Sequence, residues 1–488
     1  MGIICREKLQ KVIEPHIFIG LKGGDFDVGT ILASELLIGA RFDLAFKLLY
    51  LDLKTNCFSY ASRVYSDHIR AFTLGRYVEP GNAKKDGVDV YMDVFNSLYE
   101  NISTLGFDKD KSIIPVTQLG VISNGAHRVA CAIKARKNVE VINININDES
   151  PLYDSNFFYR RNVNKLILDD VVSKFIEHAS NIHVAFIWPS ADSDQVDLDK
   201  LFPNIVYRKD IVLTPNGAHN FISQIYSGEE WLGCVSDNFK GAYGKVVECF
   251  NSFAAVKVVV FQAESLTEVL DVKENIRNIF KIGKHSVHIT DTHGEAVQAA
   301  NLVFNNNSLH FLNFARPNKF VSIHSKISKF KSFCEKNGLD SDTVVLDTGL
   351  LLELYGLRNS SDIDYISLNN INLSIGDIES HDDAVHFHGV NRDELIFNPK
   401  HFFTFSGLKF LSFEQVYKMK TNRAEFKDEI DCKLMDALLE KNRFKHMKNI
   451  IVQKTYYNYV VLRKNLVDLL RLVGLYNISR RFYRKYIK

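Results

Sequence analysis

Three things are missing from this 488-residue sequence: a Cys-x-x-Cys pair, a charge-free apolar run of bilayer length, and a marked excess of either charge. The seven cysteines, Cys5, Cys57, Cys131, Cys234, Cys249, Cys334 and Cys432, are odd in number and scattered. Such spacing argues against a paired-cysteine zinc site and a disulfide framework, and implies reduced, mostly buried thiols in a cytoplasmic protein. A net charge of +2 provides no general attraction to nucleic acid or to an anionic bilayer, so any basic surface has to be local. The apolar stretch from Val28 to Leu53 is broken by Glu35, Arg41, Asp43 and Lys47, and no membrane span is expected. Arg6, Glu7, Lys8 and Lys11 are followed by no signal-like apolar segment, and Arg6 stands where a myristoylation motif wants Ser or Thr. Neither a secretory leader nor a lipid anchor is expected there.

What is present is an ordinary globular composition, with 46% hydrophobic and 24% charged residues, in a chain too long for one core. The pattern of elements predicts an α/β and α+β multidomain protein. Its expected units are residues 1–150, a central α/β unit over 151–320, a third unit over 321–440 and a basic helical tail over 441–488.

The most informative stretch runs from Val344 to Ile366. An apolar, helix-length run ends at Gly356, a polar turn follows through Leu357, Arg358, Asn359, Ser360 and Ser361, and a β-type run carries Asp362 and Asp364 around Ile363. Alternate strand residues share a face, so the two carboxylates stand about 6–7 Å apart at Cα and suit a hard cation such as Mg²⁺. Cations held in this way clamp the attacking and leaving oxygens of a phosphoryl displacement. The helix, turn and Asp-x-Asp strand resemble the nucleotidyltransferase fold, and Gly356-Leu357-Arg358 with Asp362-Ile363-Asp364 is similar to the variant in LicD-type phosphotransferases of surface-polysaccharide pathways. Downstream, Gly407 to Glu414 leads into Met419, Lys420, Arg423, Lys427, Asp428 and Asp431, similar to a Lys/Arg then Lys-Asp-x-x-Asp helix that packs behind the metal strand in such proteins.

The resemblance implies that Asp362 and Asp364 hold the metal, that Gly356, Ser360 and Ser361 form the phosphate turn, and that Arg358, Lys420 and Arg423 neutralise departing charge. Asp428 and Asp431 would orient those basic groups. Leu357 departs from the usual small residue after the glycine, and Asp393 and Glu394 are the candidates for a third acid.

The first unit carries Ile113-Ile114-Pro115-Val116, then Ser123-Asn124-Gly125-Ala126-His127-Arg128, then the β-branched run from Val139. That order, over roughly residues 85–145, resembles the ParB/sulfiredoxin-like fold, whose relatives include nucleotide-dependent phosphotransferases, a free-serine kinase among them, and chromosome-partition proteins. A helix N-terminus offers unpaired amides and a positive dipole end, so the resemblance makes Asn124, Gly125, His127 and Arg128 a nucleotide or phosphate site. Ala126 stands where sulfiredoxin chemistry wants a cysteine. Spacing also predicts helices over Thr30–Leu53, with Arg41, Asp43 and Lys47 on its surface, and over Val88–Ile102.

In the central unit, strands are expected at His183–Trp188, Asn204–Tyr207, Val256–Phe261 and Ser286–Thr290, with helices near 218–226, 266–279 and 295–303, giving a parallel or mixed sheet. His288, Asp291, His293 and Glu295 surround a strand-to-helix turn as secondary candidates for metal or phosphate, with helix capping as the alternative. Lys245, Lys273 and Arg277 read as solvated helix faces, phosphate neutralisation being the other reading. The tail from Tyr456 to Lys488 mixes basic and aromatic residues over apolar helical stripes, as a helix lying on an anionic bilayer does. A packed helical lid or a partner-binding tail fits the same pattern.

These resemblances imply a cytoplasmic, Mg²⁺-dependent nucleotidyl- or phosphotransferase using a nucleoside triphosphate, ATP or CTP. Its acceptor would be a sugar or lipid-linked sugar in bacterial capsule or O-antigen assembly, with the tail at the inner face of the membrane and no nucleic acid partner. Two alternatives remain at this stage. One is an ATP-dependent small-molecule kinase using the ParB-like unit, with the later unit a degenerate scaffold; the other is a non-enzymatic ParB-like DNA-binding or regulatory protein, which the near-neutral charge disfavours.

Overall fold

The computed structural model describes residues 2–79, 82–144, 152–191, 197–439, 459, 462–463 and 465–486. Helices and several small sheets alternate, and the chain is a mixed α/β protein.

The first sheet has the order Gly2–Cys5, Asp25–Leu32, Asn138–Asn143, Ile114–Val116, with antiparallel pairing except between the last two strands. The helix Ala126–Lys134 connects those two parallel strands, as the strand, turn, helix, strand reading expected. The Val88–Leu105 helix also lies where it was expected. The Thr30–Leu53 helix does not: Asp25–Leu32 is a strand, and the helix is confined to Asp43–Leu53. Val28, Thr30 and Ile31 are β-branched and all pair with the Asn138–Asn143 strand, Val28 also with Gly2–Cys5, which overrides the helical spacing of the apolar residues.

The Asp43–Leu53 helix is buried almost all round, against the expectation of a charged outer face. Arg41, Asp43 and Lys47 are only 4%, 1% and 2% exposed. Their charges compensate one another, which lets an apolar helix carry them inside.

The central sheet has the order Val287–Ile289, Ile182–Ile187, Val256–Gln262, Ile205–Ile211, and every pairing in it is antiparallel. This corrects the expected parallel or mixed sheet. Local residue pattern locates a strand but carries no information about its direction relative to a neighbour. The pattern does set the faces: Val184, Phe186, Val258 and Val260 join one apolar cluster, while Ala185, Ile187, Val259 and Phe261 join another under the Leu266–Phe280 helix. The larger cluster extends from Ala33 to Met435 and draws residues from all three main sheets.

The third sheet is mixed, in the order Ile378–Ser380, Ile363–Ser367, Val344–Leu346, Leu408–Leu411, Phe402–Phe405. The apolar run before Gly356 is divided between the strand Val344–Leu346 and the short helix Gly349–Leu354. Downstream, the expected basic-acidic helix is two helices, Phe413–Arg423 and Phe426–Leu439, separated at the left-handed Ala424. Among the described residues no helix is long and apolar enough to cross a membrane.

Candidate metal and phosphate site

The strand Ile363–Ser367 is clasped between Val344–Leu346, which runs antiparallel to it, and Ile378–Ser380, which runs parallel. This pairing brings three chain segments to Asp364: the Asp347-Thr348-Gly349 turn, the bend at Asp362 that precedes its strand in place of the expected strand residue, and His381. The Asp347 amide donates to the Asp364 carbonyl at 2.9 Å, which locks the turn beside the strand. Thr348 takes φ 40° and ψ −107°, a backbone conformation unfavourable for a β-branched residue, and its hydroxyl donates to Asp364 Oδ2. A Cβ on Gly349 would lie 3.5 Å from Asp362 Oδ1. Both expected metal ligands therefore meet the same turn.

Behind them lies a group to which the sequence reading gave no role. Asp347 is fully buried, with Oδ2 at 3.3 Å from His381 Nδ1 and 3.2 Å from His388 Nε2. His381 Nε2 in turn lies 3.4 Å from Asp364 Oδ1, so one imidazole bridges two carboxylates. His388 is fixed from the Phe413–Arg423 helix, where Gln415 Nε2 donates to its carbonyl at 2.9 Å.

The electrostatics follow from this packing. Burial opposes ionisation of Asp347, but His388 and His381 outweigh it and hold the carboxyl far below its usual range. Burial pushes Asp364 upward, Asp362 and Asp347 add to that, and His381 and Thr348 offset part of it. Burial alone would lower His381, yet its contacts with Asp347 and Asp364 raise it. Two carboxylates, Asp347 and Asp364, flank the His381 imidazole, and Asp362 adds a third negative charge beside Asp364. Asp347 is committed to its histidines, so Asp362 and Asp364 are the carboxylates here that could hold a cation, Asp364 with its oxygens already meeting Thr348 and His381.

The remaining residues of the expected site divide. Ser361 Oγ lies 3.1 Å from Asp362 Oδ2, at the exposed edge. Ser360 is turned inward: its hydroxyl and amide donate to Glu353 Oε2 at 2.6 and 2.9 Å, and Lys326 closes the knot at 2.6 Å from the same oxygen. Gly356 has φ 71°, and a Cβ there would meet Arg316 Cβ at 3.0 Å. Its carbonyl accepts from Lys319 Nζ at 2.7 Å, so the glycine permits a close chain crossing and does not form an open cradle.

Arg358 makes a two-pronged contact with Asp431 at 2.6 and 2.8 Å. Lys420, 2% exposed, lies 3.1 Å from Asp428 and 2.8 Å from Asp431, and Arg423 grips Asp428 with two bonds of 2.8 Å. Asp428 and Asp431 thus hold the three basic groups. The third-acid candidates lie elsewhere: Glu394 accepts from Ser59 and from Asn398, and Asp393 precedes it on the short Arg392–Phe397 helix. Asp347 is the third carboxylate of the cluster. Its visible signal is the Asp-Thr-Gly turn directly after a β-branched run; His381 has no local signal, because strand pairing alone brings it there.

In the ParB-like segment Gly125 adopts φ 92°, and a Cβ there would meet Ile114 Cδ1 at 2.7 Å. Asn124 Oδ1 accepts from the Gly125 amide at 2.5 Å. Arg128 pairs with Glu14 at 2.5 Å and also donates to Ser112. His127 Nε2 lies 2.8 Å from the Tyr65 hydroxyl, and the Tyr65 ring lies 5.8 Å from that of His68. Beneath them Lys47 bridges His68 Nε2 at 3.1 Å and Asp43 at 2.8 Å, and Arg41 makes bonds of 2.7 and 2.9 Å to the same Asp43. A buried polar cluster of Arg41, Asp43, Lys47 and His68 thus stacks against the Tyr65–His127 pair, and Arg41, Asp43 and Lys47 had been expected on the surface.

The secondary candidates do not assemble into a metal site. His288 packs between Phe186 and Tyr226, Asp291 pairs with Lys273, and His293 turns away to donate to the Ile176 carbonyl at 2.8 Å. Glu295 accepts from the Asp291 amide, and Thr292 caps the helix His293–Val303. Lys245 and Lys273 are each only 9% exposed, which corrects their reading as solvated. Among the described residues, Asp52, Glu177 and His178 place ligand atoms within 4.8 Å of one another. Lys134 and Lys174 lie 2.7 and 3.6 Å from Asp52, so ammonium groups already supply the cation there.

A scan against protein-family models, a search of curated proteins and a search of solved structures each return no match for the chain.

Proposed function

We propose that the chain is a Mg²⁺-dependent nucleotidyl- or phosphotransferase acting on a sugar-like acceptor, with Asp362 and Asp364 as the metal-binding pair. The supporting observation is the convergence of both carboxylates on the Thr348–Gly349 turn, with Asp347 and His381 fixed behind them. A bound Mg²⁺ supplies charge neutralisation for the transferring phosphoryl group. Asp362, at the exposed edge, receives the ion; Asp364 is held in its rotamer by Thr348 and His381. Arg358, 36% exposed, remains near enough to solvent to meet a phosphate while Asp431 orients it. Lys420 is interior and holds the two downstream helices together. In this reading the donor is a nucleoside triphosphate, ATP or CTP.

The test is a thermal-shift titration of the full chain with ATP and CTP, with and without Mg²⁺, since a ligand of the folded state raises its stability by mass action. A Mg²⁺-dependent shift lost in Asp362→Asn and kept in His127→Ala supports the proposal. No Mg²⁺-dependent shift with either nucleotide overturns it.

The buried polar cluster stacked beneath the Tyr65–His127 pair favours one second reading, a kinase built on the ParB-like segment. It reverses the pattern: His127→Ala abolishes nucleotide-dependent turnover and Asp362→Asn does not. The tail completes the proposal. In the helix Tyr476–Tyr486, Ile478 and Phe482 are exposed one turn apart beside Arg480, Arg481 and Lys485, a face suited to an anionic lipid surface at the cytoplasmic side. Residues 440–458, where the tail begins, lie outside the described residues.

A further inference from the structure

A cavity of about 730 Å³ opens at one end of the central sheet, between the helices Lys240–Cys249 and Leu266–Phe280. Its chemistry is set by cations. Lys245 is only 9% exposed, and among the described residues no carboxylate lies within ion-pairing distance of its ammonium; Nζ instead donates to the Lys284 carbonyl at 2.8 Å. Lys284 likewise has no carboxylate partner among the described residues, and Arg277, held by Glu274 at 2.6 Å, lines the same wall. Burial and the neighbouring Lys284 and Arg277 charges press the Lys245 ammonium downward, while Cys249 partly offsets them.

The cavity also has carboxylates. Asp291 is engaged by Lys273 and Glu295 by the Asp291 amide, while Glu229 and Glu248 lie on the lining as well. None of them lies within ion-pairing distance of Lys245. A buried ammonium beside like charges is costly to maintain unless an anion completes it.

Two further features describe the rest of the ligand. Tyr226 and Trp231 lie with ring centres 5.1 Å apart on the same lining, the Tyr226 ring centre 5.5 Å from Lys245 Nζ and Trp231 44% exposed, so flat apolar faces stand next to the cation. Gly244 lines the space, and a Cβ there would meet nothing within 4 Å, so the missing side chain leaves room next to Lys245.

We propose that this cavity binds a nucleoside diphosphate, the phosphates against Lys245, Lys284 and Arg277 and the base against Tyr226 and Trp231. The proposal goes beyond the transferase reading and does not rest on it.

Trp231 provides the readout, because the sequence has two tryptophans and the other, Trp188, is 1% exposed. The full chain, without added metal, is titrated with ADP, CDP, GDP, UDP and pyrophosphate while tryptophan emission is followed. The expected result is that at least one nucleoside diphosphate changes the emission and binds more tightly than pyrophosphate. Lys245→Met then weakens it by about tenfold or more, the loss of one charge-assisted contact. Gly244→Val, at an open surface position, weakens it as well, Trp231→Phe removes the signal, and Asp362→Asn leaves binding unchanged. Should Lys245→Met fail to fold, the exposed Lys284→Gln carries the same test with a smaller loss. Silence from all four nucleotides, pyrophosphate binding as tightly as each of them, or undiminished affinity in the lysine variants overturns the proposal.

Discussion

Two histidines illustrate how placement of a single side chain sets a measurable property. Burial pushes His288 down to about 4, with Lys273 adding to it and Asp291 opposing, and burial alone pushes His310 down to about 4. In the unfolded chain both titrate near 6.5, so between pH 6.5 and 4 the unfolded state binds more protons. Their contribution to stability is therefore complete above that window and is lost as pH falls through it, by about 3 kcal/mol each. Urea unfolding at several pH values should show this decline, and His310→Gln, which keeps a polar partner for Tyr355, should flatten it by roughly half.

The Arg41, Asp43 and Lys47 trio gives a second residue-scale expectation. Asp43→Ala leaves two buried cations without their carboxylate and should cost about 3–5 kcal/mol in chemical denaturation. An exposed carboxylate such as Asp110, paired with Lys8 at 3.8 Å, should cost less than about 1 kcal/mol when changed to Ala.

At the scale of elements, the turn before the Ala126–Lys134 helix separates two uses of glycine. Gly120 has φ 73° and open space around it, whereas Gly125 combines φ 92° with an Ile114 side chain that an added Cβ would approach to 2.7 Å. Gly120→Ala should cost about 1 kcal/mol from backbone strain, and Gly125→Ala about 2–4 kcal/mol because a buried side chain must also move. Thermal unfolding of the two variants checks the order. Capping was read from the sequence only at the turn before His293, where Thr292 bears it out. Thr292, Ser265 and Thr214 each accept an amide at a helix start, and those helices lie within a few residues of their expected bounds. Strand direction was not legible, since the alternation that marks Val256–Gln262 as a strand is the same for either orientation.

For the whole molecule, the tail is the part whose role depends least on the rest. Leu462, Leu466, Leu469, Leu472 and Ile478 are all exposed, an apolar series along the tail. Changing Arg480, Arg481 and Lys485 together to Gln should lower co-sedimentation with anionic vesicles at least tenfold, at about 1 kcal/mol per charge, and leave neutral vesicles unaffected. Equal binding by the variant would show that the tail does not read lipid charge.

The sequence by itself determined where most strands and helices lie and that Asp362 and Asp364 stand close together at the start of one strand, because side-chain periodicity and capping are local properties of the chain. Tertiary structure alone decided that Asp347 and His381 stand behind that pair, that Lys420 is interior, and that the Arg41 trio lies in the core. Those outcomes depend on which segments pair across tens to hundreds of residues, and a charged side chain reads the same in a sequence whether water or a buried counter-charge surrounds it.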